Sequence, residues 1–508
     1  MEERVQLDKT FKQHWVWAIA LGSAIGWGAF ILPTEWMAKA GPLGVITGLF
    51  IGGLIMMVIA VSYGILINKF PVSGGGFTYA YLGFGRTHAY FCGWFLTLGY
   101  ICIVALNASA MALLGKFLFP SITNTMFLYE INGWEVYLGE VLIASAALIF
   151  FAWFNIKGAS LSGQLQFIFC VILVLGIIFL TAGMLLHPDF NFSYMTPAFK
   201  PGIAPITGII AILAVAPWAF VGFDNIPQAA EEFNFPAKKA FSLIIYSILV
   251  AIFLYAFMVI ATAAGGSWQQ LVAGKPIWGT GDVVSQSLGT IGVVCLAISV
   301  CMGIFTGLNG FYVSASRLMF AMGRAQILPA AFTKLHSKHK TPHNGIIFTC
   351  ILCLIAPWFG RPVLLWIVDM SAIGVTIAYL YTCLTAFKQF VWRFESGYSK
   401  GGAGAQGKDE RTVSPVKKLI CLLGVLSSVA FLALLLVPGS PSALGTPSLI
   451  ALAAWVLMGI AFYMYKAKDF QKVSKETLDY YILGKERPAE NNRTEDEALA
   501  EFKLDASK

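Results

Sequence analysis

Charged residues are scarce in this chain: Asp, Glu, Lys and Arg make up 12% of its 508 residues, and 58% are hydrophobic. Soluble globular domains carry about 25% charged residues, because their surfaces must face water. A soluble fold cannot bury this much apolar surface, so the composition excludes an ordinary soluble protein. It predicts instead a chain that crosses a lipid bilayer many times.

Long apolar runs, separated by polar loops, set the number of crossings. A helix needs about 20 apolar residues to cross a bilayer, and most of the runs reach that length, although the ninth is marginal. The runs are rich in glycine and aromatic residues and show no strict alternation, so helices are favoured over a β-barrel. Twelve runs are predicted, at 14–40, 43–67, 88–119, 134–154, 163–186, 206–230, 240–264, 286–316, 344–359, 363–391, 417–437 and 447–465.

Motifs of catalysis and metal binding are also missing. The sequence has no HExxH and no P-loop, and four of its six histidines (His14, His336, His339 and His343) lie at predicted membrane edges or in loops. Its nine cysteines fall almost wholly inside the apolar runs, without the paired spacing of extracellular disulfides. We therefore expect no enzymatic activity, no metal site and no cofactor, and we interpret the cysteines as small packing residues.

The basic residues are distributed unevenly. With a cytoplasmic N-terminus, only five of the 34 Lys and Arg residues fall on the opposite side of the membrane: Lys39, Lys116, Lys200, Lys275 and Arg361. An excess of Lys and Arg on the cytoplasmic side is what fixes the orientation of membrane proteins. The prediction is an integral protein of the plasma (inner) membrane with both termini in the cytoplasm. The same excess explains the net charge of +8, so no nucleic-acid partner is expected.

Two of the predicted membrane helices are interrupted. The first run contains GSAIGWG at 22–28, and the sixth contains PWAFVGFD at 217–224. Three glycines in seven residues weaken a helix, and an internal proline removes a donor and clashes with the preceding turn. In hydrocarbon, freed backbone groups are tolerated only where they face protein or a cavity. A pair of such interruptions is the best indication in a sequence of a transporter's central site.

The two interruptions offer complementary groups. The N–H groups of Trp27, Gly28 and their neighbours lie at the positive end of a half-helix, which suits a carboxylate. The carbonyls near Ala216, Pro217 and Phe220 can accept hydrogen bonds from an ammonium group. Together they would bind the zwitterionic head of an amino acid. The alternative is a pair of purely structural kinks.

The positions of the interruptions divide the chain into two halves. Each interrupted helix is followed by four further runs, and because five is odd, the halves enter the membrane from opposite sides, as an inverted repeat. The predicted fold is an all-α polytopic membrane protein with a five-plus-five inverted repeat, broken helices 1 and 6, and two additional helices. Its segments are a cytoplasmic N-terminus (1–13), the first repeat (14–186), the second repeat (206–392), a cytoplasmic linker (393–416), the last two helices (417–466) and a solvated, partly disordered cytoplasmic tail (467–508).

Four motifs occur in a fixed order along the chain. They are GSAIGWGAF at 22–30 followed by Pro33, FPVSGGGFTY at 70–79 with Gly93-Trp94, FVGFD at 220–224 with AEE at 230–232 and Asn234, and SASR at 314–317 through Pro329. In this order they resemble the amino acid–polyamine–organocation (APC) superfamily of transporters, over residues 14–392. The resemblance implies the leucine-transporter-like fold.

The resemblance and the interruptions together nominate substrate-binding residues. Trp218 resembles the aromatic gate of the sixth helix, and Phe311 its counterpart in the eighth. The complete set of expected contacts is Ser23, Ala24, Ile25, Gly26, Trp27, Gly28, Gly99, Tyr100, Ala216, Pro217, Trp218, Phe220, Val221, Asn309, Phe311 and Ser371.

Two residues leave alternatives open. A carboxylate at the depth of Asp224 is costly unless it is neutralised or paired, so Asp224 is a candidate for proton coupling, for pairing with a substrate amine, or for a structural acceptor. Trp27 stands where the superfamily usually has a small residue, and it either shrinks the pocket or points into neighbouring helices. The fifth run lacks the lysine that proton-coupled relatives use in place of sodium, so H⁺ coupling, Na⁺ coupling and plain exchange all stay open.

The functional prediction is a secondary active transporter, an amino acid permease working by alternating access as a symporter or exchanger. Its expected partners are an amino acid or amine substrate and the lipid bilayer, and the sequence does not specify an oligomeric state. One alternative is a polyamine or organic amine transporter or antiporter of the same fold. A more remote alternative is a transporter-like amino acid sensor.

Overall fold

The computed structural model describes residues 4–131, 133–274, 276, 278–360, 362–392 and 415–486. Helices dominate it. In chain order they are α1 (Gln13–Ile25), α2 (Gly28–Ile31), α3 (Pro33–Ala40), α4 (Pro42–Lys69), α5 (Gly76–Phe84), α6 (Arg86–Leu118), α7 (Pro120–Thr123), α8 (Leu138–Ile156), α9 (Ala159–Leu185), α10 (Pro205–Leu213), α11 (Ala216–Ala219), α12 (Asn225–Gln228), α13 (Lys238–Ala263), α14 (Trp268–Ala273), α15 (Gly279–Arg324), α16 (His343–Cys353), α17 (Pro362–Trp392), α18 (Pro415–Leu436), α19 (Thr446–Lys472) and α20 (Lys475–Leu478). Short 3₁₀ turns lie at Phe192–Met195, Ala230–Glu232, Ala330–Thr333 and Ala356–Phe359, and a π-helical turn at Asp479–Leu483.

Most of the predicted crossings are long apolar helices. The predicted sixth run is divided among α10, α11 and α12, and the ninth is the shorter apolar stretch His343–Phe359. The prediction of a polytopic helical membrane protein is confirmed, whereas the count of twelve crossings and the repeat stay predictions. Within the described residues, ten stretches are long and apolar enough to cross a membrane: Gln13–Ile31, Pro42–Lys69, Arg86–Leu118, Leu138–Ile156, Ala159–Leu185, Lys238–Ala263, Gly279–Arg324, Trp366–Gln389, Pro415–Leu436 and Thr446–Lys466.

The first membrane segment lies at the centre of the bundle and the last two lie at its edge. α1 packs against α9, α13 and α15, and α18 packs against α17 and α4. Within Gln13–Ile31, 83% of the apolar stretch is buried by the protein, compared with 28% for Pro415–Leu436 and 11% for Thr446–Lys466. The interrupted first helix is therefore enclosed by other helices, where freed backbone groups can be satisfied by protein.

A small β-hairpin makes the all-α prediction wrong in one loop. Strands β1 (Phe127–Ile131) and β2 (Trp134–Tyr137) pair antiparallel between α7 and α8, with Ile131 opposite Trp134. Both strands are rich in aromatic and β-branched residues, and the sequence Asn-Gly at 132–133 is typical of tight hairpin connections. Gly133 has a φ of 77°, which glycine adopts without strain. The hairpin signal is present in the sequence but short beside the neighbouring apolar runs.

Part of the C-terminal tail is folded onto the protein. α20 and the π-helical turn after it bury Leu478, Ile482 and Leu483. The expectation of a solvated tail therefore does not hold for residues 475–483, because this stretch carries enough apolar surface to pack. The predicted linker lies outside the described residues except at 415–416, as does the tail from 487 onward.

Candidate functional site

The first interruption separates α1 from α2. Gly26 has a φ of 49°, its N–H donates to Gly22 O at 3.0 Å, and helix resumes at Gly28. Gly303 of α15 lies directly against this turn, because a Cβ on Gly303 would stand 2.3 Å from Gly26 O and 3.0 Å from the Trp27 nitrogen. Residue 303 therefore has to be glycine for α15 to form a wall of the interruption.

The second interruption lies between α10 and α12 and contains only the short helix α11. Gly222 has a φ of 135°, and a Cβ there would stand 2.7 Å from Ala24 N. The two interruptions are therefore in direct contact. Ala216 O already accepts a hydrogen bond from Phe220 N–H at 3.0 Å, and its contact with a substrate stays a prediction.

One side chain joins the two interruptions. The hydroxyl of Tyr255, on α13, lies 2.9 Å from Ala24 O, 2.9 Å from Ala219 O and 3.3 Å from Ile25 O. A hydroxyl has a single proton to donate, so these carbonyls share one donor and retain capacity to accept another. Tyr255 could not be predicted from the sequence, because nothing in the sequence separates it from Tyr246 on the same helix.

Asp224 is buried at the end of the second interruption. Its Oδ1 accepts from Gly222 N–H at 2.9 Å, and its Oδ2 accepts from the Tyr100 hydroxyl at 2.7 Å. The Tyr100 hydroxyl accepts in turn from Gln228 Nε2 at 3.2 Å. Among the three roles left open, these bonds favour a structural acceptor that fixes the turn and ties it to α6.

Aromatic side chains cover the interruptions. The rings of Trp27 and Trp218 meet edge to face with centroids 6.3 Å apart, and a Cβ on Gly28 would stand 3.1 Å from the Trp218 ring. Trp27 therefore faces the second interruption. This is the orientation in which the indole would shrink the substrate pocket. Phe311 packs against Tyr100 at 5.7 Å, and both are fully buried.

Gly99 and Ser371 lie together where α6 meets α17. The Ser371 hydroxyl donates to Gly99 O at 3.1 Å. A Cβ on Gly99 would stand 3.0 Å from Val375 Cγ1, so the helices approach closely. Both residues serve packing between helices here, and their contact with substrate stays a prediction.

Asn309 binds side chains of the fourth and fifth long helices. Its Oδ1 accepts from Ser162 Oγ at 2.8 Å and from Asn155 Nδ2 at 3.0 Å, and its Nδ2 donates to Gln166 Oε1 at 2.7 Å. All of its polar side-chain atoms are thus occupied by protein. Its predicted contact with substrate would require these bonds to break.

Gln166 extends this network to the first interrupted helix. Its Nε2 lies 3.2 Å from both Ala18 O of α1 and Thr306 O of α15, and the side chain is fully buried. We call Asn155, Ser162, Gln166 and Asn309 the amide network. The amide network is electrically neutral. Gln166 was not predicted from the sequence to be part of it.

Backbone bonds join residues 4–12 to the end of the second interrupted helix; we call these residues the N-terminal strand, because Phe11 forms a single parallel β-bridge with Phe233. Phe11 N–H donates to Glu232 O, and Asn234 N–H donates to Phe11 O, both at 2.9 Å. The side chain of Glu232 forms a buried ion pair with Arg317 of α15, at 2.7 Å. We call this end of the molecule the terminal face.

A second buried cluster at the terminal face centres on Glu231. Arg4 Nη2 lies 2.6 Å and Arg324 Nη2 2.7 Å from Glu231 Oε1, and Ser73 N–H donates to the same oxygen at 3.2 Å. Burial alone would raise the pKa of Glu231, but the charges of Arg324 and Arg4 and the hydrogen bonds outweigh burial and lower the pKa to about 2. The carboxylate is therefore charged at neutral pH.

The two interruptions bring backbone acceptors of both broken helices around one shared donor. The carbonyls of Ala24 and Ala219 share the Tyr255 hydroxyl as a donor. Among the described residues, no group of three or more His, Cys, Asp or Glu side chains is placed to hold a metal ion, and the cysteines are unpaired thiols. Backbone carbonyls of this kind can accept hydrogen bonds from an ammonium group, and no charged side chain is needed for this.

Comparison with known proteins gives relatives of one functional kind. The chain is 26% identical over 358 residues to the branched-chain amino acid permease BcaP of Bacillus subtilis, covering 67% of this chain and 70% of the relative. It is 28% identical over 352 residues to the large neutral amino acids transporter small subunit 2 of Mus musculus, covering 66% of this chain and 62% of that relative. The methylthioribose transporter of Bacillus subtilis is 25% identical over 381 residues, which cover 72% of this chain and 79% of that protein.

The family comparison covers most of the chain. The amino acid permease model matches residues 12–462, a range that includes both interruptions, the amide network and all ten long apolar helices up to the last turns of α19. The earlier resemblance to the APC superfamily is thereby confirmed. The chain belongs to the amino acid permease family of the APC superfamily and is an integral membrane protein.

Proposed function

We propose that the chain is a secondary transporter that moves neutral amino acids across the membrane by alternating access. The observation that supports this most directly is that the two interruptions contact each other, with Trp27 and Trp218 packed edge to face between them. The carbonyls there accept from the α-ammonium group, and the N–H groups after Gly26 donate to the α-carboxylate. In this proposal the two indoles line the space for the substrate side chain.

The choice of neutral substrates is supported by the charges around the interruptions. Asp224 lies at the end of the second interruption, and both its oxygens already accept hydrogen bonds from protein. A cationic side chain would be buried there without a partner, at a cost of several kcal/mol. Relatives named for branched-chain and large neutral amino acids agree with this choice.

The membrane arrangement is part of the proposal. The protein lies in the plasma (inner) membrane, and its terminal face lies on the cytoplasmic side. This side is assigned because Lys and Arg concentrate there in the predicted topology. The α10–α12 stretch and His343–Phe359 add two crossings to the ten long helices and give twelve. The first ten crossings then form the five-plus-five inverted repeat.

We also propose that transport is exchange without obligatory H⁺ or Na⁺ coupling. The junction of α1, α9 and α15 is bridged by the neutral amide of Gln166, which satisfies carbonyls of Ala18 and Thr306 without a cation.

Changing Gln166→Glu places a carboxylate against these carbonyls. Counterflow by this variant should fall at least tenfold at pH 8 and recover toward pH 5, as protonation restores a donor.

Two comparisons test the coupling proposal. Gln164→Glu is the matched control, since Gln164 is exposed on the same helix, and its counterflow should be unchanged across pH. Wild-type protein should not accumulate substrate when a pH or sodium gradient is imposed. Accumulation driven by a proton gradient, and lost in Asp224→Asn, would instead assign the coupling to Asp224.

The transport proposal is tested with purified protein in liposomes. Counterflow of each radiolabelled proteinogenic amino acid, and of a panel of polyamines, is measured against empty liposomes. We expect exchange of neutral amino acids and its loss in Trp218→Ala, with full activity in Cys421→Ala. Exchange confined to polyamines would favour the amine transporter, and failure of every compound would remove the transport proposal.

A further inference from the structure

The stretch Ser474–Gly484, which we call the C-terminal segment, contacts the N-terminus of the chain directly. The Arg4 backbone N–H donates to the Tyr480 hydroxyl at 2.9 Å, and Arg4 Nε donates to Tyr481 O at 3.1 Å. Gly484, with a φ of 68°, lies against the guanidinium of Arg4, because a Cβ there would stand 3.4 Å from Arg4 Cζ. Arg4 is thus held from several sides by residues near position 480.

The C-terminal segment is anchored independently of Arg4. Asp479 accepts from the Tyr81 hydroxyl of α5 at 2.8 Å and pairs with Lys485 at 2.7 Å. Leu478, Ile482 and Leu483 are each 2–3% exposed, so the segment buries an apolar face against the protein. These contacts make it a packed element of the terminal face.

Arg4 connects this segment to the buried charges of the terminal face. The same guanidinium that binds Tyr481 O forms the 2.6 Å ion pair with Glu231. The neighbouring residue, Val5, accepts from Arg324 Nη1 at 3.2 Å. The N-terminal strand therefore lies between the C-terminal segment on one side and the ends of the second interrupted helix and α15 on the other.

We propose that the C-terminal segment is a latch that keeps the terminal face closed. This latch rests on the proposed alternating access. In that mechanism, opening toward the terminal face moves α1 and the N-terminal strand away from Glu231, Glu232 and α15. With the segment in place, the bonds from Arg4 to Tyr480 and Tyr481 resist that separation. Undocking of the segment removes them, while the ion pair from Arg4 to Glu231 remains.

The latch is tested by hydrogen–deuterium exchange of the full-length protein in lipid nanodiscs, without substrate. Tyr480→Phe removes the hydroxyl that accepts from Arg4 N–H, and truncation before Ser474 removes the whole segment. Exchange at residues 4–25 should rise about threefold in Tyr480→Phe and at least tenfold in the truncated chain, in line with the loss of one and of several net hydrogen bonds. Exchange within α13 should not change in either protein.

Tyr463→Phe is the matched control. Its hydroxyl bonds to Thr87 at 3.0 Å between α19 and α6, away from Arg4. Exchange at residues 4–25 should equal that of the wild type in this variant. Equal exchange at residues 4–25 in wild type, Tyr480→Phe and the truncated chain would overturn the latch.

Counterflow on the same proteins separates the two proposals. If deuterium exchange at residues 4–25 is faster in the two variants but no compound is transported, the latch is supported and the transport proposal is rejected. Active counterflow with unchanged deuterium exchange would retain transport and reject the latch. If both hold, the truncated chain should show a counterflow rate or apparent substrate affinity that differs at least twofold from the wild type.

Discussion

At the scale of single residues, Tyr255 holds the two interruptions together. Removing its hydroxyl in Tyr255→Phe takes the shared donor from Ala24 O and Ala219 O. We expect KM for counterflow to rise about 2–10-fold, the equivalent of about 0.5–1.5 kcal/mol for one buried hydrogen bond. Tyr246→Phe on the exposed side of the same helix is the control, and KM values equal in both variants would contradict this role.

Trp27 is expected to set the size of the substrate that fits. Trp27→Ser removes an indole that packs edge to face on Trp218, so it enlarges the space beside the second interruption. In competition counterflow, preference should shift by at least tenfold toward aromatic over small amino acids, comparable to the roughly 1–3 kcal/mol that hydrophobic pockets use in discrimination. Trp153→Ser, at an exposed position, should leave the preference unchanged.

These residues differ in how far the sequence predicts them. Trp218 and Asp224 stand in a motif with a proline and a glycine, so their position at an interruption follows from local chemistry. Tyr255 and Gln166 act through carbonyls of helices far away in the chain. Their partners depend on how helices pack, which local sequence does not encode, so the same residue types elsewhere in the runs look equivalent.

At the scale of elements, the close approach of α15 to the first interruption depends on one missing side chain. Gly303→Ala places a methyl group 2.3 Å from Gly26 O, so either the helix or the turn must move. We expect counterflow to fall at least tenfold with normal membrane insertion, since overpacking costs about 1–3 kcal/mol and displaces the site. Gly266→Ala adds the same methyl in open space and should be silent; equal activity in both would show that the approach is not required.

The elements themselves were largely predictable from the apolar runs. Glycine and proline located both interruptions, and run length located most helix ends to within four residues and those of α15 and α19 to within eight. The β-hairpin was not predicted, because its two strands of five and four residues are short beside the runs that surround them. The helix pairs that bury the site were not predicted either, since the spans have apolar residues on nearly every face.

At the scale of the whole molecule, Glu231 makes the stability of the folded protein sensitive to acid. Its pKa is about 2 in the folded protein against an ordinary value of 4.5, so the unfolded chain binds the proton first as pH falls. The stabilisation, up to about 3 kcal/mol, is complete above pH 4.5 and is lost as pH falls from there to about 2. The melting temperature in detergent should drop across this window.

Glu231→Gln isolates this contribution. The variant should be less stable than wild type at pH 7, because Arg4 and Arg324 lose their buried partner. The difference in melting temperature between the two proteins should shrink between pH 4.5 and pH 2. A constant difference across that range would mean that Glu231 is not the group that titrates.

The whole-molecule arrangement was predictable where it depends on composition and charge, and not where it depends on contact between distant segments. Scarcity of charge specified a membrane protein, and the uneven basic residues specified an orientation that stays a proposal. The packing of residues 475–483 was not predicted. Their apolar stretch is short and flanked by polar residues, and only the assembled protein supplies the surface that buries it.

The bond between Arg4 and residues 480–481 also has a consequence for biosynthesis. These residues are 476 and 477 positions apart, so Arg4 cannot form these bonds until the ribosome has synthesised the chain past residue 481. Contacts of such long sequence separation form late in folding. The N-terminal strand therefore lacks these bonds in every chain that has not yet been extended past residue 481.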